Sequence, residues 1–369
     1  LNPLKPKNGA RYHFEMPGSV QGWSSYESKT FLNNIVGNSE LGERSLEIRF
    51  DLQDPGSSSE IFVHTFFPET VKRLTGLKKE VFFSYNFLSC PELYPGQKII
   101  ASVKGGQNEQ KDIKCYLFVK VYGENDTLVK IVSESYRLSA NQSIDLAWTP
   151  VISDGHPVAQ IGLKFESDHK LKGKVFLDFL KITGEPKTSF MRPSHVPIFE
   201  RGRVYHPPRA EMWRNSWVKA CHHWTNRDIK GADYKIGNDK GRGIILTGSS
   251  DWENYQIKAD ITLEMVKSGG IAIRVQGLER YYALELTKDH KARLIKVCDG
   301  IKVLKEIDFD IELNRSYSFS LIAHEEKISG SIDKVQLIFT DSNNPLLYGG
   351  IGLVVEEGTL FTNKIDINK

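Results

Sequence analysis

The chain has 369 residues, room for two domains with separate cores, and its 40% hydrophobic and 26% charged residues are ordinary for a globular protein. Formal net charge is +3, with Lys and Arg scattered rather than striped, which argues against nucleic acid as a partner. No apolar run approaches the ~20 residues of a membrane-spanning helix. Cys90, Cys115, Cys221 and Cys298 lie far apart and show no CxxC or Cys/His metal spacing, so four separate thiols are expected. The opening Leu-Asn-Pro lacks an initiator Met. Two expectations are compatible with that start: a cleaved leader, with a secreted or periplasmic setting, or a piece of a longer protein.

Aromatic residues reach 11%, which favours strands. Helical periodicity is nearly absent, and apolar and polar residues alternate at period two. In residues 45–52, Leu46, Ile48 and Phe50 share one face. Residues 114–123, 160–167 and 174–184 read the same way, with Gly, Pro, Asn and Asp clusters between. Residues 184–209 break the pattern with five of the fifteen prolines. Strands resume at 217–224, 243–248, 255–265 and 270–277 and continue to the end. The expected fold is all-β: two antiparallel β-sandwich (jelly-roll) domains in tandem, 1–188 and 210–369, joined by a Pro-rich linker over 189–209.

The first half opens "ARYHFEMPGSVQGWSS", continues with "GERSLEIRF" and closes "VFLDFLKITG". It resembles galactose-binding-like jelly-roll domains, including many carbohydrate-binding modules. The resemblance implies a structural Ca²⁺ near the junction of first and last strands, with Glu15 and Asp178 at the matching positions. Two carboxylates would need carbonyls and water to complete such a site. The other reading makes Glu15 a turn cap and Asp178 a solvated strand residue. Trp23, Tyr26, Tyr94 and Trp148 are candidates for stacking on a sugar ring, although an aromatic in a sandwich also serves as core.

In the second half, "RVQGLERYYALELT" (residues 274–287) spends bulk on both faces. Strict alternation puts Ile271, Ile273 and Val275 on the core side and Arg274 and Gln276 on the other. Across a hairpin, Tyr282, Leu284 and Leu286 face the core, while Tyr281 and Glu285 face out. Arg274, Gln276, Tyr281 and Glu285 are therefore expected on one solvent-facing surface. That surface is either a groove for a glycan or nucleotide-sugar, or a face on which Arg274 and Glu285 pair across strands for about 0.2–1 kcal/mol.

The string from "SDWENYQIKADITLEM" through "RVQGLERYYALELT" to "GGIGLVVEEGTL" resembles the C-terminal concanavalin-like sandwich of some bacterial ADP-ribosylglycohydrolase-family proteins. The resemblance implies an accessory region attached to a catalytic domain. That family's all-helical, Mg²⁺-binding domain has no counterpart in these residues. "EIDFDIE" (306–312) has nearly the acidic spacing of a concanavalin-like glycosidase but ends its triplet in Asp, and reads better as an acidic strand edge. His222 and His223 are adjacent, so on a strand they would point to opposite faces. The favoured function is non-catalytic carbohydrate or glycoconjugate binding within a larger glycohydrolase-like protein. The alternatives are a glycoside hydrolase using the second domain's concave face, and a purely structural pair of sandwiches.

Overall fold

The computed structural model describes residues 7–66, 90–106, 112–123, 126–193, 212–225 and 233–368. The first sandwich is built from β1 (Thr30–Val36), β2 (Arg44–Leu52), β3 (Ser58–His64), β4 (Lys98–Gly105), β5 (Ile113–Tyr122), β6 (Leu128–Val132), β7 (Tyr136–Leu138), β8 (Ser143–Trp148), β9 (Val158–Glu166) and β10 (Leu171–Thr183). One sheet runs β1-β2-β10-β4-β8 and the other β3-β9-β5-β6, with β7 also on β5. Alternation decides the inner faces. Leu46, Ile48 and Phe50 meet Leu117, Val119, Ile161, Leu163 and Phe165 in one buried core. In β10 the register against β4 shifts between Leu177 and Phe179, a bulge that takes Asp178 out of the ladder.

The second unit continues with β11 (Thr188–Met191), a one-turn helix α1 (Met212–Asn215), β12 (Val218–Ala220), β13 (His223–Thr225), β14 (Tyr234–Thr247), β15 (Tyr255–Glu264), β16 (Ser268–Gly277) and β17 (Arg280–Thr287). It ends with β18 (Lys291–Cys298), β19 (Ile301–Asp308), β20 (Ser316–His324), β21 (Lys327–Ile332), β22 (Val335–Thr340), β23 (Gly350–Thr362) and β24 (Lys364–Asn368). The path β19-β18-β17-β16-β23-β15-β20-β21-β22 bends into two layers, with β14 added on β23 and β24 on β15. β23 makes the corner. It pairs with β16 through residue 356 and with β15 from residue 359. Between them Gly358 has φ +155°, and a Cβ there would meet the Met265 carbonyl at 2.2 Å, so only glycine turns this corner. The chain is thus all-β and folds as antiparallel sandwiches in tandem.

Two features depart from the expected linker. Residues 188–191 form β11 and pair with β24, because Ser189 and Phe190 find ladder partners in Asp366 and Ile365. The segment expected to begin the linker is therefore a strand of the second unit. Residues 194–211 lie outside the described residues. Tyr94, contributed by the first half, is buried in the core of the second. Its ring meets Trp252 at 4.7 Å, and its hydroxyl accepts the Gly248 amide at 2.9 Å.

Candidate functional site

The surface expected from the second-domain alternation is not formed. Arg274, Tyr281 and Glu285 are buried, and Gln276 is half-buried. Tyr281 keeps the side opposite Tyr282 and Leu284, but that side is itself packed, against Ile244, Ala272 and Val297. For Arg274 the reason is a bulge: the register of β16 against β23 shifts between Ile273 and Val275, and Arg274 sits in it at φ +52°. Downstream of the bulge the faces exchange, so Val275 packs with Ala272, Tyr281 and Ala283 rather than with Ile271 and Ile273. The Arg274 guanidinium turns away to the backbone carbonyls of Glu253 (3.1 Å), Leu346 (2.7 Å) and Glu325. Gln276 donates to the Tyr348 carbonyl at 2.8 Å. Arg274 and Glu285 are not cross-strand partners. Glu285 lies against Arg242 of β14, a residue the alternation argument passed over, and Arg242 also reaches Glu356 at 3.2 Å. Burial would lower the Arg242 pKa, but Glu285 outweighs it and holds the guanidinium above its usual range.

Other acidic and imidazole candidates resolve simply. Glu306 and Asp308 lie on β19, the end of its sheet, where they face Arg293 and Lys291. His222 lies in the bend between β12 and β13, so strand alternation does not apply to the pair. Both imidazoles approach Asp239, at 3.5 and 2.8 Å, on an exposed surface.

Glu15 and Asp178 do come together, around an ammonium group. Lys7 Nζ lies 2.9 Å from Glu15 Oε1 and 2.8 Å from Asp178 Oδ1. It donates to the carbonyls of His13 (2.8 Å), Arg44 (2.5 Å) and Asp178 (2.8 Å). Burial alone would raise the Glu15 pKa; Lys7 and the Glu43 and Arg44 amides outweigh it and hold the carboxyl below its usual range. Five oxygens with two carboxylates make a donor set of the kind Ca²⁺ takes. Its centre is held by Lys7, so the ion does not fit beside that side chain.

Of the four aromatic candidates in the first half, Trp23 and Tyr94 are buried and Trp148 packs partly buried against the core. Tyr26 is different: the residue is 62% exposed. It stands at the outer face of β3, β9 and β5, where alternation presents three cross-strand rows. These are His64–Gln160–Lys120, Phe62–Gly162–Phe118 and Glu60–Lys164–Tyr116. Gly162 lets the middle row close, since a Cβ there would lie 2.2 Å from the Phe118 ring. Tyr26 packs on Phe62 with centroids 4.5 Å apart. Lys120 Nζ sits 5.7 Å from the Tyr26 and Phe62 centroids and 5.9 Å from that of Phe118, a set of cation–π contacts. Burial and the neighbouring Lys130 pull the Lys120 pKa down against the pull of Glu60, which is itself paired with Lys130. Gln160 is 1% exposed, and its Nε2 makes only long contacts, 3.4 Å to Tyr26 Oη and 3.5 Å to His64 Nε2. Its Oε1 is buried without a hydrogen-bond partner among the described residues. The face thus offers the exposed Tyr26 side chain and the Lys120 ammonium, with the Gln160 amide buried beneath them. Phe62, His64, Phe118, Lys120 and Gln160 were not singled out by sequence reasoning. The available signal was that residues 60–64 and 116–120 carry aromatic or charged bulk at the outward positions too.

No family model and no curated protein matches the sequence. Among solved structures, the chain is similar to the carbohydrate-binding module CBM66 from Bacillus subtilis, at 19% identity and TM-score 0.37, over 42% of this chain and 95% of that one. It is similar to the tandem CBM22-1–CBM22-2 domains of Paenibacillus barcinonensis Xyn10C at 10% identity and TM-score 0.32, over 96% and 95%. A galectin-like protein of unknown function from Bacillus subtilis aligns at 12% identity and TM-score 0.35, over 45% and 94%.

Proposed function

We propose that this chain is a non-catalytic carbohydrate-binding region whose ligand lies on the outer face of β3, β9 and β5. The observation that carries the reading is the exposed Tyr26 side chain standing beside the Lys120 ammonium. A pyranose presents an apolar face of C–H groups and a rim of hydroxyls. The ring suits the first, and the ammonium suits the second. Glycoside hydrolysis takes two carboxyl groups flanking the bond. On this face Glu60 is committed to Lys130, so binding is the better reading. Attached to a hydrolase, as the second-domain resemblance implies, such a region would hold the enzyme on its substrate.

The test is a glycan array with the full chain, followed by titration of any hit against Tyr26→Ala. The variant is expected to bind about tenfold more weakly, a loss of about 1.4 kcal/mol of stacking. Its melting temperature should hardly change, because the residue is mainly exposed. A native chain that binds no glycan sinks the reading. Equal binding by native chain and variant moves the ligand off this face.

A further inference from the structure

We propose that Lys7 is the resident cation of the cage formed with Glu15 and Asp178, tethered where a divalent ion would otherwise sit. The first domain then closes without Ca²⁺, and removing the Lys7 amine creates a Ca²⁺ site. An ammonium has three N–H donors, and here five oxygens lie within 2.9 Å of it: the carbonyls of His13, Arg44 and Asp178 and one carboxylate oxygen each of Glu15 and Asp178. Asp178 Oδ1 is buried and lies 2.8 Å from Nζ. Two carboxylates against one ammonium also leave a negative charge that a divalent ion would cancel.

The oxygens are held by groups other than Lys7. Asp178 Oδ2 accepts the amides of Glu40 (2.8 Å) and Leu41 (3.1 Å). Glu15 accepts the amides of Glu43 (3.0 Å) and Arg44 (3.3 Å). The Phe14 carbonyl beside the cage accepts from Asn34 at 2.7 Å, and the His13 and Phe14 amides both donate to Gln21 Oε1 at 2.8 Å. Gly42 closes the wall, where a Cβ would lie 2.3 Å from Glu15 Oε1 and 2.9 Å from Lys7 Cε. The cage therefore persists when the amine is taken away. Five oxygens plus solvent reach the six to eight that Ca²⁺ requires.

The experiment compares the melting of the full chain and of Lys7→Met in Ca²⁺ and in chelator, with calorimetric titration of Ca²⁺ into both. The native chain is expected to melt identically in the two buffers and to give no binding heat. Lys7→Met is expected to melt roughly 5–10 °C lower in chelator, because two carboxylates lose their cation, and to recover most of that in Ca²⁺ with one ion bound. A native chain that binds Ca²⁺ and gains stability overturns the proposal, since the ion then displaces Lys7. A Lys7→Met chain that is unaffected, or that Ca²⁺ fails to restore, also overturns it. The native titration decides even if the variant does not fold.

Discussion

Arg242 Nη1 lies 2.7 Å from Glu285 Oε2, joining β14 to β17 across the two strands that separate them in the sheet. Glu285 is all but fully buried, so Arg242→Met leaves an uncompensated buried charge on the side of β17 opposite the main core. The expected loss is about 3–5 kcal/mol, read as the shift in urea midpoint. The double variant Arg242→Met with Glu285→Leu should recover a large part of it. A double variant no better than the single one would show that Arg242 acts through Glu356 instead.

Arg274 has a structural role that the exposed-surface expectation would not assign. Arg274→Ala strips hydrogen bonds from three backbone carbonyls and leaves a non-glycine residue at φ +52°. It should cost about 3–5 kcal/mol and leave glycan binding by the remaining folded chain intact. Unchanged stability with lost binding would restore Arg274 as a ligand contact.

The Lys296–Asp341 pair predicts an acid limit. Burial would raise the Asp341 pKa, but Lys296 at 2.6 Å and the Tyr282 hydroxyl at 2.6 Å outweigh it and hold the carboxyl below its ordinary 3.8. The unfolded chain then binds this proton more readily than the folded one. The pair's contribution is present above about pH 4 and is lost as pH falls through the lower folded value. Urea midpoints of Asp341→Asn should fall less between about pH 5 and 3 than those of the native chain. Parallel slopes would remove Asp341 from the acid response.

Tyr94 and β11 predict that the two sandwiches unfold together. Fragments 1–188 and 195–369 cut away all but the first residue of β11, the partner of β24, and remove Tyr94 from Trp252. Each should melt below the intact chain, which should show one transition, and Tyr94→Ala should cost about 3–5 kcal/mol. Two well-separated transitions, or fragments as stable as the whole, would mean independent domains.

Period-two alternation in the sequence determined the all-β class and the inner faces. Leu46, Ile48 and Phe50 are together in one core, and Tyr282, Leu284 and Leu286 in the other, because a pleated strand assigns sides by parity. Glu15 and Asp178 were paired only by a resemblance, and alternation could not name the cation between them. Tertiary structure decided the rest. A bulge adds one residue to one strand, and that single step reversed the facing of Val275 and withdrew Arg274 from its expected surface. Lys7 reaches Asp178 across 171 residues, and Gln160 meets Tyr26 across 134. Such contacts depend on which strands lie side by side, and local periodicity carries no record of strand order.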